Sequence, residues 1–157
     1  MGKDEIAHCC AEVLASAGPM AALRFLNERT RFRFTGVYHA QPPLLRNLHL
    51  YDRENPTLNA SGAVTRLDET YCAIVCTGDH PFTTTDAPAD ARLTAHTARE
   101  NVISYCGVPI RHESGRVWGT LCHYDVRPRL VSPSEIEVLT LVAACFAQQL
   151  AGASRST

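Results

Sequence analysis

Apolar residues recur at spacings of three and four near both ends of the chain, a pattern typical of amphipathic helices. The N-terminal stripe begins at Ile6 and is broken at Gly18, after which Pro19 can occupy the first turn of a second helix. At the other end, a Ser-Pro-Ser-Glu capping box precedes a heptad-like apolar stripe. The pattern therefore predicts two helical segments within residues 1–30 and one long helix over residues 132–151.

Between these helical ends the pattern changes to an alternation of apolar and polar residues, which is typical of strands. Residues 32–39 and 44–51 flank a turn that contains two prolines, and they predict one hairpin. Residues 102–111 and 116–125 flank a turn that ends in glycine, and they predict a second hairpin.

The pairing of the second hairpin determines which of its side chains share a face of the sheet. If Arg111 lies opposite Arg116, the alternation assigns every other residue to the same face. One face then carries Tyr105, Gly107, Trp118, Thr120, Cys122 and Tyr124. The other face carries Cys106, Val108, Ile110, Val117, Leu121 and His123.

The segment between the two hairpins contains shorter elements. Residues 53–62 are polar and rich in turn formers, which predicts a surface loop. A short helix follows Asp68 and has Gly78 at a position suited to its C-cap. Residues 81–85 predict a short strand, and Asp86 can cap a polar, weakly helical excursion that leads to the second hairpin. The order of elements predicts an α+β domain with a central antiparallel sheet.

Several motifs between residues 64 and 150 resemble those of the GAF family, in the family's order and spacing. They are Leu67-Asp68-Glu69-Thr70-Tyr71-Cys72, residues 86–92, Tyr105-Cys106-Gly107-Val108-Pro109-Ile110, and Gly119-Thr120-Leu121-Cys122-His123-Tyr124-Asp125 with Pro128-Arg129 after it. The resemblance implies a six-stranded antiparallel sheet with the terminal helices on one face and a small-molecule pocket on the other. It also implies a sensory role and dimerisation through the terminal helices.

The length and charge of the chain limit the classes of function. A chain of 157 residues is about the size of one GAF domain standing alone, so we expect a single domain over residues 1–157. Within it, residues 1–30 would form the N-terminal helices, residues 31–131 the sheet and pocket segments, and residues 132–151 the C-terminal helix. Fifteen basic and sixteen acidic residues give a net charge of −1, without the basic excess that nucleic-acid binding needs.

No apolar run in the sequence is long enough for a signal peptide or a membrane span, so we expect a cytoplasmic protein without a membrane partner. In that compartment the seven cysteines are expected to be thiols. No CxxC pair occurs, which removes the zinc-ribbon and thioredoxin-type signals. Most of the cysteines are expected to be buried apolar side chains, and Cys72 and Cys122 are the two nearest the predicted pocket.

Aromatic, hydroxyl and thiol side chains gather on the predicted pocket face, as they do in many sites for small molecules. We expect an unidentified ligand to contact Tyr71, Cys72, Asp86, Tyr105, Trp118, Thr120, Cys122 and Tyr124. The alternative is a filled core in which the tyrosine hydroxyls reach water. No cofactor and no metal are expected.

An enzymatic alternative is a thiol-dependent reductase that resembles the free methionine-(R)-sulfoxide reductases and uses Cys72. The resemblance places the pocket acids of that family at Tyr105, Cys122 and Tyr124, none of which is acidic. It places the family's catalytic cysteine near Arg99, in a stretch without cysteine.

Two further alternatives involve a bound group. Some GAF domains hold a bilin through a Cys-His pair, and Cys122-His123 is such a pair, but the alternation places its two side chains on opposite faces. Others hold a non-haem iron, for which imidazole and carboxylate ligands are suited. The candidate iron ligands are His80, His96, Asp86 and Cys72, and no two of them have the spacing of ligands on one helix face.

The sequence therefore predicts a cytoplasmic sensor that binds a small molecule, forms a homodimer through its terminal helices and signals through a separate output protein, such as a kinase or regulator. A domain that binds nothing and serves only for dimerisation is a third hypothesis.

Overall fold

The two N-terminal helices meet at a single glycine. In the computed structural model, which describes residues 1–58 and 61–155, helix α1 covers Lys3–Ala17 and helix α2 covers Pro19–Glu28. Gly18 between them has a φ of 92°, in the left-handed region that favours glycine. Its N–H donates to the Leu14 carbonyl at 3.1 Å, which closes the last turn of α1. The break between the helices therefore lies where the sequence predicted it.

Six strands form one antiparallel sheet, as predicted. They are β1 (Phe34–Gln41), β2 (Leu44–Asp52), β3 (Val64–Arg66), β4 (Phe82–Thr84), β5 (Ser104–Arg111) and β6 (Val117–Asp125). Helix α3 (Cys72–Gly78) lies between β3 and β4, and helix α4 (Pro133–Arg155) follows β6. The strand order is β3-β2-β1-β6-β5-β4, so the two predicted hairpins join in the middle of the sheet.

Helices α1, α2 and α4 cover one face of the sheet, which we call the helix face. Apolar side chains from the three helices form one core with side chains of β1, β5 and β6. Its fully buried members include Leu23, Leu26, Leu121, Leu139 and Phe146. Burial of each such side chain contributes about 1.5–3 kcal/mol, and this contact holds the helices on the sheet.

The central strands β1 and β6 approach each other closely at one glycine. A Cβ atom built on Gly119 would lie 1.9 Å from the Tyr38 carbonyl oxygen. Any side chain at this position would therefore push the two strands apart.

Two local predictions differ from the structure. Helix α3 continues through Gly78 and ends at Asp79, which adopts the left-handed conformation with a φ of 58° and donates its N–H to Val75. The excursion after β4 consists of short 3₁₀ turns, and the side chains that cap them belong to Asp90 and His96. Asp86 precedes the first of these turns, but its carboxylate accepts no capping hydrogen bond.

In the part of the chain that the structure describes, no helix has both the length and the apolar character that a membrane crossing requires.

Candidate functional site

A small cavity lies on the sheet face opposite the three helices, which we call the pocket face. Its volume is about 180 Å³. Helix α3, the 3₁₀ excursion and the strands β1, β2, β5 and β6 all contribute to its wall. The lining residues are Tyr38, Leu45, Thr65, Glu69, Thr70, Tyr71, Cys72, Ala98, Val102, Tyr105, Cys122 and Tyr124. We refer to it as the tyrosine cavity because four tyrosines line it.

Cys72, the first residue of α3, places a thiol in this wall. Its side chain is 4% exposed, and its Sγ lies 3.1 Å from Thr120 Oγ1 and 3.4 Å from Tyr105 Oη. A hydrogen bond from the Cys122 thiol lowers the pKa of Cys72, burial raises it, and the two hydroxyls lower it further, which leaves it at about 7. Burial raises the pKa of Cys122 well above its ordinary value. Cys72 is therefore the thiol of this pair that ionises first.

The tyrosines of the wall are tied to one another and to the excursion. Tyr38 and Tyr124 share a hydrogen bond of 2.7 Å between their hydroxyls, and Tyr71 donates to the Val102 carbonyl at 2.8 Å. The rings of Tyr71 and Tyr105 meet edge to face, with centroids 5.5 Å apart. Burial raises the pKa of Tyr71 to about 12. The hydroxyls are neutral at physiological pH and can donate or accept hydrogen bonds.

The cavity has almost no charge. Glu69 is the one acidic or basic side chain among the described residues that line it, and it is exposed. Desolvation of an ion inside such a wall would be costly without a partner. The arrangement therefore suits a small ligand without net charge that has a few polar atoms.

Five of the predicted ligand-binding residues line the tyrosine cavity. They are Tyr71, Cys72, Tyr105, Cys122 and Tyr124. Thr120 lies behind this wall, fully buried, where its hydroxyl bonds to Cys72. Asp86 does not line the cavity.

Trp118 lies on the helix face, so the prediction that it shares the pocket face was wrong. The pairing of β5 with β6 shifts by one residue between Ile110 and Arg111, and Arg111 lies opposite Val117 rather than Arg116. Such a bulge reverses the alternation beyond it. The indole ring stacks on His39 at a centroid distance of 4.2 Å and packs against the helix-face core.

Several lining residues were missed by the sequence reasoning. Tyr38 and Leu45 come from the first hairpin, and Ala98 and Val102 from the excursion. The sequence did contain a signal for Tyr38: the alternation along the first predicted strand places it on the opposite face of the sheet from Val37. Its place beside Thr120 depends on the pairing of β1 with β6, which are far apart in the sequence.

A model of one domain family matches nearly the whole sequence. This is the GAF domain model, which matches residues 5–150. The chain belongs to the GAF domain family. No curated protein matches the sequence closely enough to be counted as a relative. GAF domains are a family of sensor and signalling domains.

Solved structures share the fold at low sequence identity. The GAF domain of an Acinetobacter phosphoenolpyruvate-protein phosphotransferase has a TM-score of 0.77 and 14% identity, over 98% of this chain and 96% of that one. The free methionine-R-sulfoxide reductase of Neisseria meningitidis, in complex with its substrate, has a TM-score of 0.75 and 15% identity, over 99% and 92%. The chromophore-binding domain of a bacteriophytochrome from R. palustris has a TM-score of 0.75 and 12% identity, over 98% and 61%. At these identities the likeness concerns the fold alone.

This GAF domain separates the two residues of its Cys-His pair. Cys122 belongs to the pocket-face cluster, whereas His123 is fully buried on the helix face. There the Nε2 atom of His123 lies 2.7 Å from Glu135 Oε2. A tetrapyrrole is also far larger than a cavity of about 180 Å³. The site does not fit a bilin held by this pair.

The candidate iron ligands are not brought together. His80 is exposed and donates to the Pro81 carbonyl. His96 lies against the Tyr71 ring and accepts a bond from the Ala98 N–H. Across residues 1–58 and 61–155, no three His, Cys, Asp or Glu side chains are placed to hold a metal ion.

Proposed function

We propose that this GAF domain is a sensor that binds a small uncharged molecule in the tyrosine cavity. The observation that carries the proposal is the wall itself, a concave and mostly apolar surface into which tyrosine hydroxyls and thiols are set, with Glu69 as its one charged member among the described residues. Concave apolar sites with a few placed polar groups are the usual form of ligand sites.

The size of the cavity limits the ligand. A water molecule takes roughly 30 Å³ of liquid, so about 180 Å³ is the space of about six waters. A ligand of this size is a small organic molecule of about six to ten heavy atoms. Phenol is a suitable first probe, because it is neutral, flat and able to share a hydrogen bond with a tyrosine.

The test compares a variant that fills the cavity with one that does not. In A98L the longer side chain occupies the cavity from the excursion side, whereas Ala95 is exposed in the same excursion and A95L serves as the control. We expect phenol to raise the melting temperature of the wild type and of A95L, and to have no effect on A98L. If phenol and a wider panel of neutral fragments stabilise none of the three, and native mass spectrometry finds no adduct, the ligand-free dimerisation module becomes the better account.

We also propose that the domain forms a homodimer through the outer surface of α1 and α4. Val138 and Val142 are buried against the sheet, but Leu141 remains 38% exposed on the outer side of α4. In a dimer this side chain would be covered. Light scattering should give twice the monomer mass for the wild type and for T57E, a control at an exposed position outside the helices, and the monomer mass for L141E.

The sensor is further proposed to act in the cytoplasm, through a separate output protein that reads the dimer. This output protein would detect ligand binding through the terminal helices, because α4 is the next element after β6, and β6 lines the cavity.

A thiol-dependent reductase remains a second candidate, favoured by the low pKa of Cys72 at the wall of the cavity. The neutral wall counts against it, because Tyr105, Cys122 and Tyr124 offer no carboxylate to a substrate amine. The two functions are separated by C72S. Under the sensor hypothesis the variant keeps ligand binding, and purified wild type shows no turnover of free methionine sulfoxide with a dithiol reductant. Turnover that is lost in C72S, with C9S as control, would reverse the ranking.

A further inference from the structure

A second cavity lies at one end of the helix face, where α2 ends and α4 begins. Its volume is about 700 Å³, which is in the range of sites for metabolites. Its charged and hydroxyl-bearing lining residues are Arg29, Arg31, Arg129, Glu135, Thr30, Ser132 and Ser134. We call it the arginine cavity. The sheet separates it from the tyrosine cavity.

The arginine cavity has a positive lining in a chain whose net charge is −1. Of its three guanidinium groups, that of Arg29 pairs with Glu135 and that of Arg129 pairs with the buried Asp125. The charge of Arg31 is therefore the uncompensated one in this lining. Arg31 is exposed and forms no ion pair with any residue that the structure describes. A free guanidinium beside a cavity offers a fork of N–H donors that matches phosphate oxygens.

The other two arginines of the lining are held in place by acidic side chains. Arg29 donates to both carboxylate oxygens of Glu135, at 2.8 and 3.4 Å, and its side chain is 23% exposed. Arg129 donates through Nε to Asp125 Oδ2 at 2.9 Å, a bond that leaves its terminal amino groups to other partners. These two guanidiniums therefore lose little conformational entropy when an anion binds.

We propose that the arginine cavity binds a small molecule through a phosphate group. A phosphate monoester carries close to two negative charges at neutral pH. Its oxygens can accept hydrogen bonds from Arg31, whose charge is uncompensated, and from the terminal amino groups of Arg129. The hydroxyls of Ser132 and Ser134 supply neutral donors at the same wall. The phosphate belongs either to inorganic phosphate or to a phosphorylated metabolite, and the volume of the cavity favours the metabolite.

The test is a titration of the full-length protein with anions at constant ionic strength, in which binding is detected by two-dimensional amide NMR. Inorganic phosphate and glycerol 3-phosphate are the probes, and sodium chloride is the reference anion. We expect saturable shifts in the amides of residues 29–32 and 128–135. R31Q should weaken binding of either probe about tenfold, because it removes one charge-assisted contact. R31E should abolish the shifts, and R116Q, a change of an exposed arginine elsewhere, should leave them unchanged.

The outcomes separate the sources and decide the proposal. Tighter binding of glycerol 3-phosphate supports a phosphorylated metabolite, and equal binding supports inorganic phosphate. Shifts no larger than those with chloride, or equal affinities of wild type and R31Q, overturn the site. Arg31 is exposed, so both of its variants should keep the wild-type fold, with amide changes confined to the neighbours of residue 31 in the absence of anion. Phenol binding in the tyrosine cavity is tested separately, by melting temperature with A98L and A95L, and so its success or failure is independent.

Discussion

His123 and Glu135 form a buried hydrogen bond between the middle of the sheet and the first turn of α4, with 2.7 Å between Nε2 and Oε2. The other ring nitrogen lies 2.6 Å from Thr35 Oγ1, which in turn accepts a bond from the Asn27 amide. A proton on Nε2 satisfies the whole series, since Thr35 can then donate to Nδ1. The contact fixes α4 to β6 and β1 through polar groups as well as through the apolar core.

Replacing Glu135 should therefore destabilise the fold. In E135Q the carboxylate that also binds Arg29 is lost, while His123 stays fully buried and Arg29 half-buried beside a neutral amide. We expect the free energy of unfolding to fall by about 3 kcal/mol, the typical cost of breaking a buried pair. Urea denaturation at neutral pH measures this. E137Q alters an exposed glutamate two residues further along α4 and should change stability by less than about 0.5 kcal/mol. Equal effects of the two variants would contradict the assigned role.

The same glutamate predicts a pH dependence. Burial raises the pKa of Glu135, but hydrogen bonds and charges from His123 and Arg29 outweigh it and hold the pKa below its ordinary value of 4.5. Its stabilising contribution is therefore complete above pH 4.5 and is lost as the pH falls below that value. Stability measured from pH 6 down to about pH 3 should fall more steeply for the wild type than for E135Q. Parallel curves would mean that the pKa of Glu135 is not lowered.

Gly119 should tolerate no side chain. In G119A the new methyl group would meet the Tyr38 carbonyl, so β1 and β6 would have to separate at the centre of the sheet. We expect a loss of about 3 kcal/mol or more, or failure to fold. Gly2 has open space around it, so G2A is the control and should melt like the wild type. A folded G119A with an unchanged melting temperature would show that the strands lie further apart than described.

The Cys72 thiol should ionise near neutral pH. Thiolate absorbance in the ultraviolet should rise with a midpoint of about 7 in the wild type and should lose that step in C72S. T120V removes one of the hydrogen bonds that stabilise the thiolate and should move the midpoint upward. T140V, at an exposed position of α4 on the other face of the sheet, is the control and should not move it. A wild-type midpoint above 9 would contradict the lowered pKa of Cys72, and equal midpoints of T120V and the wild type would contradict the role of Thr120.

Local sequence patterns predicted most of this fold, because most of its elements are determined by residues within or next to them. The Gly18-Pro19 break, the capping box before α4 and the opposite faces of Cys122 and His123 follow from rules that act over a few residues. Trp118 was assigned to the wrong face of the sheet, because the sequences of β5 and β6 do not show the bulge between them. Tyr38 was missed because the pairing of β1 with β6 is set by the shape of the finished core, including the glycine that lets them meet.

Beyond its bulge, strand β6 carries cavity residues and buried network residues in alternation, since Cys122 and Tyr124 face the tyrosine cavity while His123 faces Glu135. A substitution at one of these positions alters one side of the sheet only. An insertion or deletion of a single residue would exchange the two sides, and would place a histidine in the cavity and a tyrosine or thiol against Glu135. Homologous chains can therefore be expected to vary in the identity of these residues but to keep the length of this strand unchanged.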